Sequence, residues 1–191
     1  MAYNFFAYIF RMRYIARWAL MRNTRSENVE EHSYEVAVLA HALAAIGREV
    51  FHKDVDPDRA ASAALFHDAP EIITGDMPTP IKYYNPELKN AYKAVETVAQ
   101  DKLLSMLPRE LSAVYEPLIR ESDETVRPYV KAADKLAAYL KCREEQKAGN
   151  TEFNRAAHET LAALRAMGME EADWFLDNLA GAFLLTLDDL G

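Results

Sequence analysis

The chain has 191 residues, half of them hydrophobic, and a formal net charge of −8. That length suits one domain, residues 1–191, with a sizeable core, while the acidic balance repels polyanions and argues against a nucleic-acid polymer or an anionic membrane surface as partner. A single cysteine, Cys142, excludes an intramolecular disulfide and fits a reducing compartment; no apolar run approaches the ~18 residues of a membrane span, and residues 3–10 lack the flanks of a signal peptide, so a cytoplasmic protein is expected.

Only six glycines and no alternating apolar and polar run point to an all-α fold. Residues 4–22 read as a first helix with Phe6, Ile9, Phe10, Ile15 and Trp18 on its apolar face. Five arginines and no acid occur before Glu27, so a small anion could be met there. Asn28 with Glu31 three residues on is a capping-box pair. Apolar residues then recur at Val29, Val36, Leu39, Leu43, Ile46 and Val50, spacings of one helix face that includes His32. His32 should therefore face inward, as a backbone-satisfied core histidine or as a ligand. His41, nine residues on and ~180° around, should face away.

Asp56 and Pro57 cap an Ala-rich helix that carries Leu65, His67 and Asp68. On a helix Glu71 would fall ~40° from His67, between it and Asp68. Pro70 should kink or restart the helix just after Asp68, and 74–80, with its Gly, Asp and prolines, reads as a loop. A long helix follows from Asn85-Pro86 to about Leu107, with Leu88, Tyr92, Val95 and Val98 buried. A shorter one starts at Pro108 and meets Pro117, and 121–127 is a charged linker.

Pro128 opens a helix to Gly149 whose apolar row is Val130, Ala133, Ala137 and Leu140, with Asp134 on its margin. An aspartate among alanines is costly unless it is paired or binds metal. Two more helices flank Met167-Gly168. The runs 174–176 and 182–185 carry more apolar side chains than one helix face needs, as a partner surface or as core.

Four candidates thus stand on three predicted helices: His32, His67, Asp68 and Asp134. Two imidazoles and two carboxylates make a mixed N/O set suited to Mn, Fe, Co, Ni or Zn, and helical bundles build such sites from inward side chains of facing helices. His-Asp alone is a weak signal.

The order His, His-Asp, Asp on separate helices resembles the HD-domain metal-dependent phosphohydrolases. Further blocks are similar in particular to the bacterial 5′-deoxynucleotidases of that superfamily: Arg17-Trp18 with Met21-Arg22-Asn23, Glu27-Asn28-Val29 with Glu31-His32-Ser33, His67-Asp68-Ala69 with Glu71, Thr74-Gly75-Asp76 with Pro78-Thr79-Pro80, and Ala138-Tyr139-Leu140-Lys141. The likeness covers most of the chain. It departs at a shorter loop before Asp134 and at Pro70, where a small polar residue is expected.

The resemblance implies an HD-domain helical bundle, one divalent transition metal ion such as Co or Mn, a deoxyribonucleoside 5′-monophosphate as substrate, and a homodimer. Carried over, His32, His67, Asp68 and Asp134 would hold the metal. Arg17 would bind phosphate and Trp18 close on the sugar. Glu71 and Asp76 would be the catalytic carboxylates, with His32, Asp76, Thr79 and Asp134 also lining the substrate site. A phosphate dianion needs the charge neutralisation that a cation and a forked guanidinium supply. An apolar Trp18 wall at C2′ would favour deoxyribose, against a plain core anchor. Arg22 and Arg25 read as solvated or salt-bridged. Another HD phosphohydrolase, acting on a triphosphate or cyclic nucleotide, and a non-catalytic nucleotide-binding helical protein remain the alternatives.

Overall fold

The structure, a computed structural model, describes residues 3–82 and 84–191. Its helices are α1 (Phe5–Ile9), α2 (Val29–Glu49), α3 (Pro57–Ala64), α4 (Glu71–Thr74), α5 (Thr79–Lys82), α6 (Pro86–Leu104), α7 (Arg109–Ile119), α8 (Arg127–Lys147), α9 (Asn154–Arg165) and α10 (Glu170–Asn178), joined by turns and short 3₁₀ segments. Among the described residues no strand forms, and one isolated antiparallel bridge joins Ala16 to Asn28. The all-α expectation holds, and no described helix is long and apolar enough to cross a membrane.

α2 and α8 are the central pair. α2 starts where the capping box predicts: the Asn28 side chain accepts from Glu31 N–H at 3.0 Å and the Glu31 carboxylate accepts from Asn28 N–H at 3.2 Å. Its buried row of Val36, Leu39, Ala40 and Leu43 meets Val130, Ala133, Leu136 and Ala137 of α8. Ala60, Ala63 and Ala64 of α3 join the same core, and their small side chains let α3 lie close against α2. That close approach brings the turn after α3 beside the first turn of α2, where His32 sits.

Several local expectations shift. The first helix stops early: α1 runs into a 3₁₀ turn over Phe10–Tyr14, and Ile15 is extended. Arg17 N–H donates to the Glu27 carbonyl and Val29 N–H to that of Ile15, both at 3.0 Å. Pairing with 27–29 thus replaces the last helical turns, a tertiary contact overriding local preference. Phe5 and Met12 are buried, whereas Phe6 and Phe10 lie exposed.

α3 ends at Ala64, so His67 and Asp68 stand on the turn beyond it. Pro70 sits in this break with φ −57° and offers its carbonyl to Ile73 and Thr74. Thr79, expected in a loop, opens α5. On α6 the buried side is Tyr92, Ala99 and Leu103, with Val95 and Val98 exposed. Pro117 is accommodated inside α7. Of the apolar surplus near the end, Phe175 enters the main core and Trp174 and Leu176 pack against it, while Phe183 stays half exposed.

Candidate active site

His32 is completely buried on α2, at the level where the turn after α3 crosses it. It is not satisfied by a backbone carbonyl. Its Nε2 faces Asp134 Oδ1 at 3.2 Å and Asp68 Oδ2 at 3.6 Å, and its Nδ1 lies 3.4 Å from Glu27 Oε1, off the line of a well-formed hydrogen bond. His67 does use a carbonyl: Nδ1–H donates to Ala64 O at 2.7 Å, which leaves Nε2 facing Asp68 Oδ2, 3.1 Å away. His41 points outward, near Asp58, as its helix position requires.

His32, His67 and Asp68 each bring one ligand-capable atom within 4.8 Å of the others. Ligands around a four- or six-coordinate divalent ion with bonds near 2.1 Å stand about 3.0–3.4 Å apart, close to the 3.1 and 3.6 Å found from Asp68 Oδ2 to the two imidazoles. His67 Nε2 is buried without a hydrogen-bond partner. The donor set therefore fits a divalent cation. Asp134 joins from the other side, on α8, with its side chain 39% exposed to the adjoining cleft.

The electrostatics agree. Burial opposes charge on His67, but the Asp68 carboxylate outweighs it and lifts the imidazole to about 9. Burial likewise opposes charge on Asp68, yet His67, His32 and Arg17 hold it well below the usual carboxylate range. Glu71 goes the other way: burial first, then the negative charges of Asp68 and Asp76, push it up to about 9. It opens α4 with one carboxylate oxygen buried and unpartnered. Burial and Asp68 also raise Asp76, against the pull of Arg17.

Beside the cluster lies a cleft of ≈ 630 Å³, lined by Arg17, Trp18, Asp76, Thr79 and Asp134 together with Lys135, Ala138, Arg155, Ala156, Glu159 and Thr160. Of the residues expected to meet substrate, Arg17, Trp18, Asp76, Thr79 and Asp134 line this cleft, whereas His32 is fully buried and does not. Arg17 sends Nη1 to Asp68 Oδ2 at 3.4 Å and Nε to Glu27 Oε1 at 3.1 Å. Trp18 has a left-handed backbone, φ +56°, and tilts against Phe153 with ring centroids 5.4 Å apart. Arg22 and Arg25 are exposed, near Glu152 and Glu144.

The sequence matches the model of the family described as 5′-deoxynucleotidase YfbR-like over residues 4–183. The chain belongs to that family. This YfbR-like chain is 48% identical, over 190 residues, to the 5′-deoxynucleotidase YfbR of Escherichia coli O1:K1 / APEC, covering 98% of this chain and 95% of that protein. Its fold is similar to that of an HD-domain phosphohydrolase from Listeria innocua (TM-score 0.81, 24% identity, 96% and 90% of the two chains). It is also similar to the HD phosphohydrolase of cyanophage S-2L, solved with dA and one catalytic Zn²⁺ (TM-score 0.65, 21% identity, 92% and 95%).

Sequence reasoning on the YfbR-like chain missed two contributors. Phe153 backs Trp18 from 135 positions away, for which no periodicity gives a signal. Glu27 accepts from Arg17 and, at 2.9 Å, from Trp18 Nε1–H. Burial opposes its charge, but His32, Arg17 and Trp18 keep its carboxyl below the ordinary value.

Proposed function

We propose that this chain is a metal-dependent 5′-deoxynucleotidase that hydrolyses deoxyribonucleoside 5′-monophosphates to deoxynucleosides and phosphate, with Co or Mn as its metal and a homodimer as its working form. The observation that carries this reading is the convergence of His32, His67 and Asp68, with Asp134 3.2 Å from His32 Nε2, beside a cleft lined by Arg17 and Trp18. Those four side chains would hold the cation. When bound, it supplies Lewis acidity and charge neutralisation at the phosphorus.

The chain's own groups supply the rest. Arg17, already turned toward Asp68, presents its remaining N–H donors to the phosphate oxygens. Glu71, whose carboxyl is pushed up to about 9 by burial and by Asp68 and Asp76, can give its proton to the departing 5′ oxygen. Asp76 and Thr79, across the cleft, position water and sugar. Trp18 sets an apolar wall against C2′. A hydrophobic surface alone rejects an added hydroxyl by about 10²-fold, so stronger discrimination would mean a clash. Three acids (Asp76, Asp134, Glu159) face three bases (Arg17, Lys135, Arg155) around the cleft, a balance that suits a monophosphate better than a triphosphate.

The test is phosphate release from a panel of deoxy and ribo 5′- and 3′-monophosphates with Mn or Co. Release confined to deoxy 5′-monophosphates is expected. No release from any of them with any divalent metal would overturn the reading.

A further inference from the structure

Glu27 touches three parts of the site at once. It lies directly opposite Arg17 across the short bridge of 15–17 with 27–29, where Arg17 N–H donates to its carbonyl at 3.0 Å. Its Oε1 accepts from Arg17 Nε at 3.1 Å and sits 3.4 Å from His32 Nδ1, while its Oε2 accepts from Trp18 Nε1 at 2.9 Å. The carboxylate is 9% exposed. It is therefore held among the groups it contacts and is not a surface charge.

We propose that Glu27 is a positioning residue that sets the phosphate arginine, the sugar wall and one metal-facing imidazole together, so that deoxyribose selectivity and metal affinity share one control. Each contact fixes a different freedom. Engaging Arg17 through Nε turns the rest of the guanidinium toward Asp68 and the cleft. The bond to the indole N–H, with Phe153 against the ring, keeps Trp18 in a backbone conformation that a large side chain rarely adopts. The carboxylate behind His32 Nδ1 favours the Nδ1–H tautomer, which leaves Nε2 free to face Asp68 and Asp134. A carboxylate behind a ligating histidine typically changes metal affinity by about 10–100-fold.

The effect on substrate rests on the deoxynucleotidase reading, whereas the effect on metal does not, and the test separates them. In E27Q one amide group replaces an acceptor with a donor facing Arg17, Trp18 or His32. The Mn²⁺ dissociation constant, measured by calorimetry without nucleotide, should rise about 10–100-fold, and the deoxy-to-ribo ratio of kcat/KM should fall about tenfold, with circular dichroism unchanged. W18F, which keeps an aromatic ring beside Phe153 but removes the N–H that Glu27 accepts, should lower the same ratio. In the E27Q/W18F double variant the two losses should not add. A folded E27Q with wild-type metal affinity and a wild-type ratio overturns the proposal, as does strict additivity with W18F. If E27Q does not fold, E27D, which keeps the charge but shortens the reach, takes its place with the same readouts and the same overturning result. Should the wild type hydrolyse no nucleotide, the metal arm still decides whether Glu27 positions His32.

Discussion

Two buried carboxylate clusters sit in the same bundle and are treated in opposite ways. Glu145, on α8, accepts from Lys141 Nζ at 2.6 Å, from Thr24 N–H and Oγ1–H at 2.9 and 2.7 Å, and from Asn150 at 2.9 Å. Burial works against its charge, but these donors hold it well below the usual carboxylate range. The cluster of His32, His67, Asp68 and Glu71 instead keeps His67 Nε2 and a Glu71 oxygen buried without hydrogen-bond partners. Unmade bonds in a buried polar group cost free energy, so a chain retains them where something else completes the set. The first cluster ties the 22–25 loop to α8 and is architecture. The second holds a donor set that fits a divalent cation.

Asp68→Ala should break this contrast most strongly. Losing the cation forfeits several kcal/mol of transition-state stabilisation, on the order of 10⁴-fold in rate. Metal binding by calorimetry and turnover should both vanish while helical circular dichroism stays. Glu71→Gln should cost about 10³-fold in kcat with the fold intact. Because the folded-state pKa of Glu71 is raised, its acid form is present below about 9 and lost as pH rises through that value; a bound cation brings the limb lower. The alkaline fall in the wild-type kcat profile should therefore be missing from the variant.

Glu145→Ala should act on stability and not on chemistry. It leaves Lys141 buried and unpaired, at a cost of about 3 kcal/mol in chemical denaturation, with metal affinity unchanged. Its pKa is depressed, so its contribution is present above the ordinary carboxylate value of 4.5 and is lost as pH falls. The gap between variant and wild type should be widest at neutral pH and narrow in acid. Trp18→Ala should have the smallest effect, raising ribonucleotide turnover relative to deoxy by up to about 10²-fold in a paired kcat/KM assay.

The two clusters also differ in how far the sequence reveals them. α2 was legible because its capping box and apolar row are local, and that row placed His32 inside. The break at Pro70 was legible for the same reason, although α3 ends four residues earlier than expected and puts His67 and Asp68 on a turn. The bridge of 15–17 with 27–29 was not legible, because it is decided by contacts that cross 10 or more positions, such as Arg17 to Glu27. The buried side of α6 was misread since valines at 95 and 98 look apolar whether or not a neighbour covers them. Glu145 drew no notice at all, because a Lys and Glu four apart on a helix normally mark a solvated face. Family likeness, and not periodicity, assigned roles to Arg17, Trp18, Asp76 and Thr79.

The central claim is that one cation sits among His32, His67, Asp68 and Asp134. Anomalous diffraction from crystals grown with manganese tests it most directly. A single strong peak about 2.0–2.3 Å from His32 Nε2, His67 Nε2 and an Asp68 oxygen is the predicted result. A peak elsewhere, or none at this corner with manganese present, would contradict it.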